Sequence, residues 1–157
     1  MIRGIASRGH DQAGASAVEF AIVLPLLVLF VFGIIEFGLT FFRSQGLEAA
    51  AREGARVAAI GLPGDDVDDA VRSAMGTVPI AASHLEVCVE QLEDGDQPGD
   101  GACVPAASAS SCSERNVRVL VRVADTEQER YGIRIPGMSA MNPQLRADAV
   151  FRCEMGE

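Results

Sequence analysis

The chain has 157 residues, 13 of them basic and 22 acidic, for a formal net charge of −9. That length fits one small domain with an attached segment. The acidic balance argues against nucleic acid as a partner, because phosphate binding needs clustered positive charge. The excess of acid lies wholly after Ile60, and every basic residue is Arg, which reads as a compositional bias rather than a mechanism.

Residues 1–14 form a short polar leader with Arg3 and Arg8 against Asp11. From Phe20 to Phe42 there are then 23 residues with a single charge, Glu36. As a helix they would be roughly 34 Å long, enough to cross a hydrocarbon core of about 30 Å. This predicts one transmembrane helix in the cytoplasmic membrane. The arginines before it place the N-terminus in the cytoplasm and the C-terminal part outside, although Arg43, Arg52 and Arg56 follow the span and are only partly offset by Glu48 and Glu53. A cleaved signal peptide is the competing reading. Its apolar core would be about 7–15 residues long and closely followed by a small-residue cleavage site, whereas Ala49-Ala50-Ala51 lies well past Phe42.

The helix is expected to continue to Ile60. RSQGLEAAAREGARVAAIG is rich in helix formers, and Glu48 and Arg52 stand at i,i+4 with the acid first. Leu47, Ala51, Ala55 and Ala58 make one mostly small face. Gly61, Pro63 and Gly64 should end it. Pro25 and Gly33 are the expected places for bending or packing. A second, short helix follows, VDDAVRSAMG, capped by Asp65 or Asp66, with Val67, Ala70, Val71, Ala74 and Met75 on its apolar face.

Beyond Gly76 the period changes. Leu85–Glu90 and Val117–Val123 alternate or nearly alternate as half-buried strands do, and Arg146–Cys153 is a third candidate. Residues 61–157 therefore read as an exported α+β domain, an antiparallel sheet laid against the extended helix. Residues 93–114 are rich in Gly, Ser, Ala and Asp and read as a mobile loop pinned by cysteines. Turn signals punctuate 125–143.

Cys88, Cys103, Cys112 and Cys153 all follow the apolar run, with no C-x-x-C spacing. Two disulfides in an exported domain fit better than a zinc site. Of the three connectivities, Cys88–Cys153 with Cys103–Cys112 is preferred, the first joining two strands and the second closing a short loop. Asp94, Asp96 and Asp100 do not complete a calcium loop, because Pro98 and Pro105 occupy ligand positions. His84 has no nucleophile implied nearby, and Ser108, Ser110 and Ser111 lack a nucleophile-elbow context. No enzymatic activity, metal or cofactor is expected.

Two acids in or beside the apolar run remain. Glu36 costs about 2–4 kcal/mol to insert; it either reaches the interface or faces a neighbouring helix, with Thr40 one turn on as an internal hydrogen-bond partner. Glu19 opens the run five residues after Gly14. An unhindered glycine suits a membrane peptidase, and cleavage there would give Ala15 a cationic α-amino group. Glu19 of a neighbouring helix would then pair with it and fix the axial register, since unpaired charges in a low dielectric are costly. The bland reading is that Glu19 ends the span and Gly14 starts the helix.

GASAVEFAIVLPLLVLFVFGIIEFG, followed by AAAREGARVAA, resembles the processing motif of type IV prepilins and pseudopilins. More specifically it resembles the TadE-like family of the tight-adherence (Flp/Tad) pilus system, with Phe20 where Tyr is common. The resemblance covers about Gly14 to Ile60. It implies a minor pilin or pseudopilin cut by a prepilin peptidase after Gly14, with Ala15 as the new N-terminus and Glu19 as the motif acid, packing against other pilin-like subunits and the pilus assembly machinery. The alternatives are an unprocessed membrane-anchored envelope or binding protein and, more remotely, a secreted enzyme with a pocket around His84, Asp125 or the cysteines.

Overall fold

The computed structural model describes residues 10–93, 104–109, 112, 118–126, 133, 137, 139 and 144–154. Helix α1, His10–Ala59, runs unbroken through Pro25 and beyond the apolar stretch. Its start at His10 lies before the expected start at Ala15, so Gly14 and Ala15 are helical. It ends as the sequence demands. Gly61 takes the left-handed conformation, φ 80°, and its amide donates to the Ala58 carbonyl at 3.1 Å, a geometry that glycine adopts without a Cβ penalty.

Helix α2, Gly64–Ala74, turns back antiparallel to α1. Its N-cap is Pro63, with no side-chain cap, so Asp65 and Asp66 belong to the first turn, where they favour the helix dipole. The Pro63 carbonyl accepts from the amides of Asp66 and Val67. Val67, Val71 and Met75 are buried as the apolar face requires, Ala70 is partly buried, and Ala74 is exposed. Gly64 admits no Cβ, because one would overlap the carbonyl of Ala106.

Among the described residues, β1 (Leu85–Leu92), β2 (Val104–Pro105), β3 (Arg118–Asp125) and β4 (Arg146–Arg152) form one sheet in the order β2-β1-β3-β4. All pairings are antiparallel. The class is α+β, as the sequence implies. β2 lies inside the segment read as a mobile loop. Val104 and Pro105 pair with Val89 and Cys88, and the turn that follows tucks Ala106 against α2. Two residues are too few to show a strand period, and Pro is tolerated because this strand is an edge.

The core lies between α1 and one face of the sheet. Leu47, Ala50, Ala51, Ala55 and Ala58 are fully buried and meet Val87, Val89, Val121, Val123, Ala147 and Ala149. Gly54 lets α1 approach closely, since a Cβ there would press on Val71 and Val121. On the other face, Arg122 donates to Asp148 at 2.9 Å and Arg146 to the same carboxylate at 2.7 Å.

The disulfide pairing differs from the one the sequence favours. Cys112 is bonded to Cys153, with Cα atoms 5.6 Å apart. The end of α1 brings them together: the Cys112 amide approaches the Ala58 carbonyl at 3.4 Å, and the Glu154 amide donates to Ala59 at 2.9 Å. Cys88 could not reach Cys153. The register sets Cys88 beside Arg122 and Arg122 beside Asp148, two strands across and five residues along, or roughly 16 Å down β4, whereas a disulfide needs Cα atoms within about 7 Å. Cys88 is itself disulfide-bonded. Cys103, and with it the expected Cys103–Cys112 loop, lies outside the described residues, but Cys112 is committed to Cys153.

Candidate functional site

The candidate site is the half of α1 that the domain does not cover. Between Gly14 and Phe42 every residue is exposed except Gly33, Glu36 and Thr40, which are partly exposed. Ile22 and Ile34 show 73% and 72% of their surfaces. A soluble fold would bury such side chains against protein. The helix is long and apolar enough to cross a membrane, and its most apolar stretch is not buried at all.

Within that half, Glu36 and Thr40 occupy one face, and helical spacing carries the face upward through Arg43 to Leu47, Gly54 and Ala58. It is the face on which the domain sits. The Thr40 hydroxyl donates at 3.0 Å to the main-chain carbonyl of Glu36, not to its carboxylate. This back-bonding ties up the hydroxyl inside the helix, so the Glu36 carboxylate gains nothing from Thr40. Among the described residues neither Glu19 nor Glu36 makes an ion pair.

Gly14, Ala15 and Glu19 project from the exposed end of α1. A Cβ at Gly14 would meet nothing within 4 Å. The peptide bond after Gly14 is sterically open, but it is helical, and a peptidase must unwind it before cutting. The structure does not bring these three residues together with Glu36 and Thr40, which lie more than four turns away along the same helix.

The remaining sequence candidates have structural roles or lie elsewhere. The His84 carbonyl accepts both the amide and the hydroxyl of Thr126, each at 2.9 Å, fastening the start of β1 to the end of β3. Asp125 is 4% exposed and its amide donates to Leu145. Ser108 donates to the Pro105 carbonyl within its own turn. Asp94, Asp96, Asp100, Ser110 and Ser111 lie outside the described residues. Among the described residues no cluster of His, Cys, Asp and Glu could hold a metal ion. The feature that sequence reasoning missed is the shared face of Glu36 and the domain. Its signal was present as the spacing of Glu36, Thr40, Leu47 and Gly54, but which face the sheet would choose was not.

Residues 14–56 match the family model described as TadE-like protein. The match begins at Gly14 and ends in the last turn of α1, so it takes in the exposed half and most of the covered half, and none of the sheet. Comparison with curated proteins and with solved structures finds no match to either. From Gly14 to Arg56 the long helix of this protein is thus similar to the TadE-like family, and the helix carries an α+β domain at its C-terminal end.

Proposed function

We propose that the protein is a membrane-anchored, pilin-like subunit that takes part in assembling a Flp/Tad-type pilus or a related secretion apparatus through packing of its transmembrane helix. The observation that carries this reading is a single TadE-like helix, bare and apolar in its first half and built into a domain core in its second. Such a helix holds a folded head at a fixed distance from a membrane and leaves its other half free for neighbouring helices. In lipid those contacts depend on close packing and on the few polar groups present, here Glu19, Glu36 and Thr40.

In this reading the N-terminus is cytoplasmic and the head is extracytoplasmic, where disulfides persist. A prepilin peptidase cuts between Gly14 and Ala15, and the new ammonium of Ala15 pairs with Glu19 of a neighbour. The protein has no catalytic role of its own. The continuity of α1 from His10 through Ala15 favours a second reading, an anchored envelope protein that is never cut. Mass spectrometry of the N-terminal peptide from native membranes separates the two. A chain beginning at Ala15 supports processing, and one beginning at Met1 supports the plain anchor. Glu19→Ala then tests the pairing. Assembly should fail while membrane insertion persists, and unchanged assembly would rule the pairing out.

A further inference from the structure

Helix α2 descends along α1. Gly54 lies against Val71, and Gly46 lies so close to Val78 that a Cβ at position 46 would overlap it. The segment from Gly76 to Ala81 is therefore at the level of residue 46, at the end of the head nearest the apolar half of α1. Position 46 is four residues beyond Phe42, about 6 Å along the helix axis. The polar layer outside each face of a hydrocarbon core is about 5–7 Å thick. The two distances coincide.

The chemistry of the segment suits that layer. Between Arg72 and Glu86 the chain carries no Asp, Glu or Arg, in a protein whose net charge of −9 comes entirely from residues beyond Ile60. Asp65 and Asp66 sit at the far end of α2. Asp125, at this end of the sheet, is buried, and Glu86 alternates onto the sheet face away from α1. Thr77, Pro79 and Ala81 are exposed, Val78 is partly exposed and Ile80 is buried beneath them. Part of the main chain is satisfied internally. Amides of Gly76, Val78, Ile80 and His84 donate to Ser73, Met75, Val78 and Ala81 at 2.8–3.2 Å, which lowers the penalty for backbone near lipid.

We infer that the Gly76–Ala81 segment is a second membrane contact, a foot on which the head rests in the head-group layer of the bilayer that α1 spans. Its partner is the lipid surface. The apolar run is a few ångströms longer than the core it crosses, and such an excess is taken up by tilt. The foot packs against Gly46, about 80° around α1 from Glu36, so tilting toward the Gly46 side seats Val78 and Pro79 deeper, and the foot sets the direction of tilt. The head is then held close to the membrane rather than swinging on its helix.

The inference rests on α1 being transmembrane, but not on processing or on a pilus. The protein contains no Trp, so a single introduced Trp is a clean depth probe. The full-length chain is reconstituted in phosphatidylcholine vesicles carrying quenchers either near the head groups or at the acyl-chain ends. Three variants are compared: Phe30→Trp in mid-span, Thr77→Trp in the foot, and Leu62→Trp at the opposite end of the head, just past the end of α1 and about 20 Å above the level of Gly46. Thr77→Trp should show blue-shifted emission and be quenched chiefly by the head-group probe, while Leu62→Trp stays red-shifted and unquenched. Pro79→Trp should repeat the result. Quenching at position 77 no greater than at 62 would overturn the foot. If Phe30→Trp escapes the acyl-chain quencher, α1 is not inserted, and the foot falls together with the transmembrane reading.

Discussion

Between Phe20 and Phe42, α1 carries Leu, Phe, Ile and Val on every side, whereas between Leu47 and Ala59 its buried positions are nearly all Ala or Gly. Both stretches belong to one helix, but they meet different surroundings. The first half is long and apolar enough to cross a membrane, and lipid chains conform to any side-chain shape, so there bulk is useful and pattern unnecessary. A sheet is a fixed surface. Burying a helix on it at close range requires small side chains, as Gly54 between Val71 and Val121 illustrates. The comparison teaches that the same residue should matter greatly in one half and hardly at all in the other.

The sharpest test applies one substitution twice. Leu47→Ala removes a side chain with no exposed surface and should destabilise the head by about 2–5 kcal/mol. Leu29→Ala, at 40% exposure, should leave head stability unchanged. Chemical denaturation of the detergent-solubilised chain measures both, and equal effects would remove the distinction between the halves. Nearly as large is the loss expected from Cys112→Ser with Cys153→Ser, about 2–4 kcal/mol for a bridge spanning 41 residues. Because the two donors to the last carbonyls of α1 flank this bridge, amide exchange should rise at the end of α1 before it rises in the strands.

Smaller effects follow from glycine. Gly54→Ala must displace Val71 or Val121 and should cost about 1–3 kcal/mol, while Gly38→Ala, with nothing within 4 Å of the added carbon, should be neutral or slightly favourable to the helix. The smallest effect concerns pH. Burial pushes the Asp148 carboxyl up, but the hydrogen bonds and charges of Arg146 and Arg122 outweigh it and hold the group below its ordinary value. The stability it contributes is therefore present above the usual Asp value of about 3.9 and fades as pH falls through the lower folded-state value. Head stability in Asp148→Asn should be lower near neutrality and should decline less steeply toward pH 3. Parallel acid profiles for the two proteins would exclude Asp148 from acid unfolding.

Much of this molecule was legible before folding. The apolar run, its continuation to Gly61, the short amphipathic helix and the three long strands all rest on local properties, hydrophobic period and glycine conformation, that a sequence carries directly. β2 was not legible, since two residues show no period and their pairing with Val89 and Cys88 is made across the sheet. The disulfide was misread for a related reason. Cys88 and Cys153 do lie on or beside strands, but register places Cys88 level with Asp148, and only the folded end of α1 brings Cys112 to Cys153.

The sequence by itself determined that this protein has one long apolar helix similar to the TadE-like family and a mixed α+β domain after it, because length, hydrophobicity and short-range pattern do not depend on distant contacts. Tertiary structure alone decided which face of α1 the domain covers. It thereby set Glu36 beneath the head and the uncharged Gly76–Ala81 segment beside Gly46, just past the apolar run. The reason is geometric: α2 must fold back along α1 to bury Val67 and Val71 against Gly54, and the length of that descent fixes where the chain next turns.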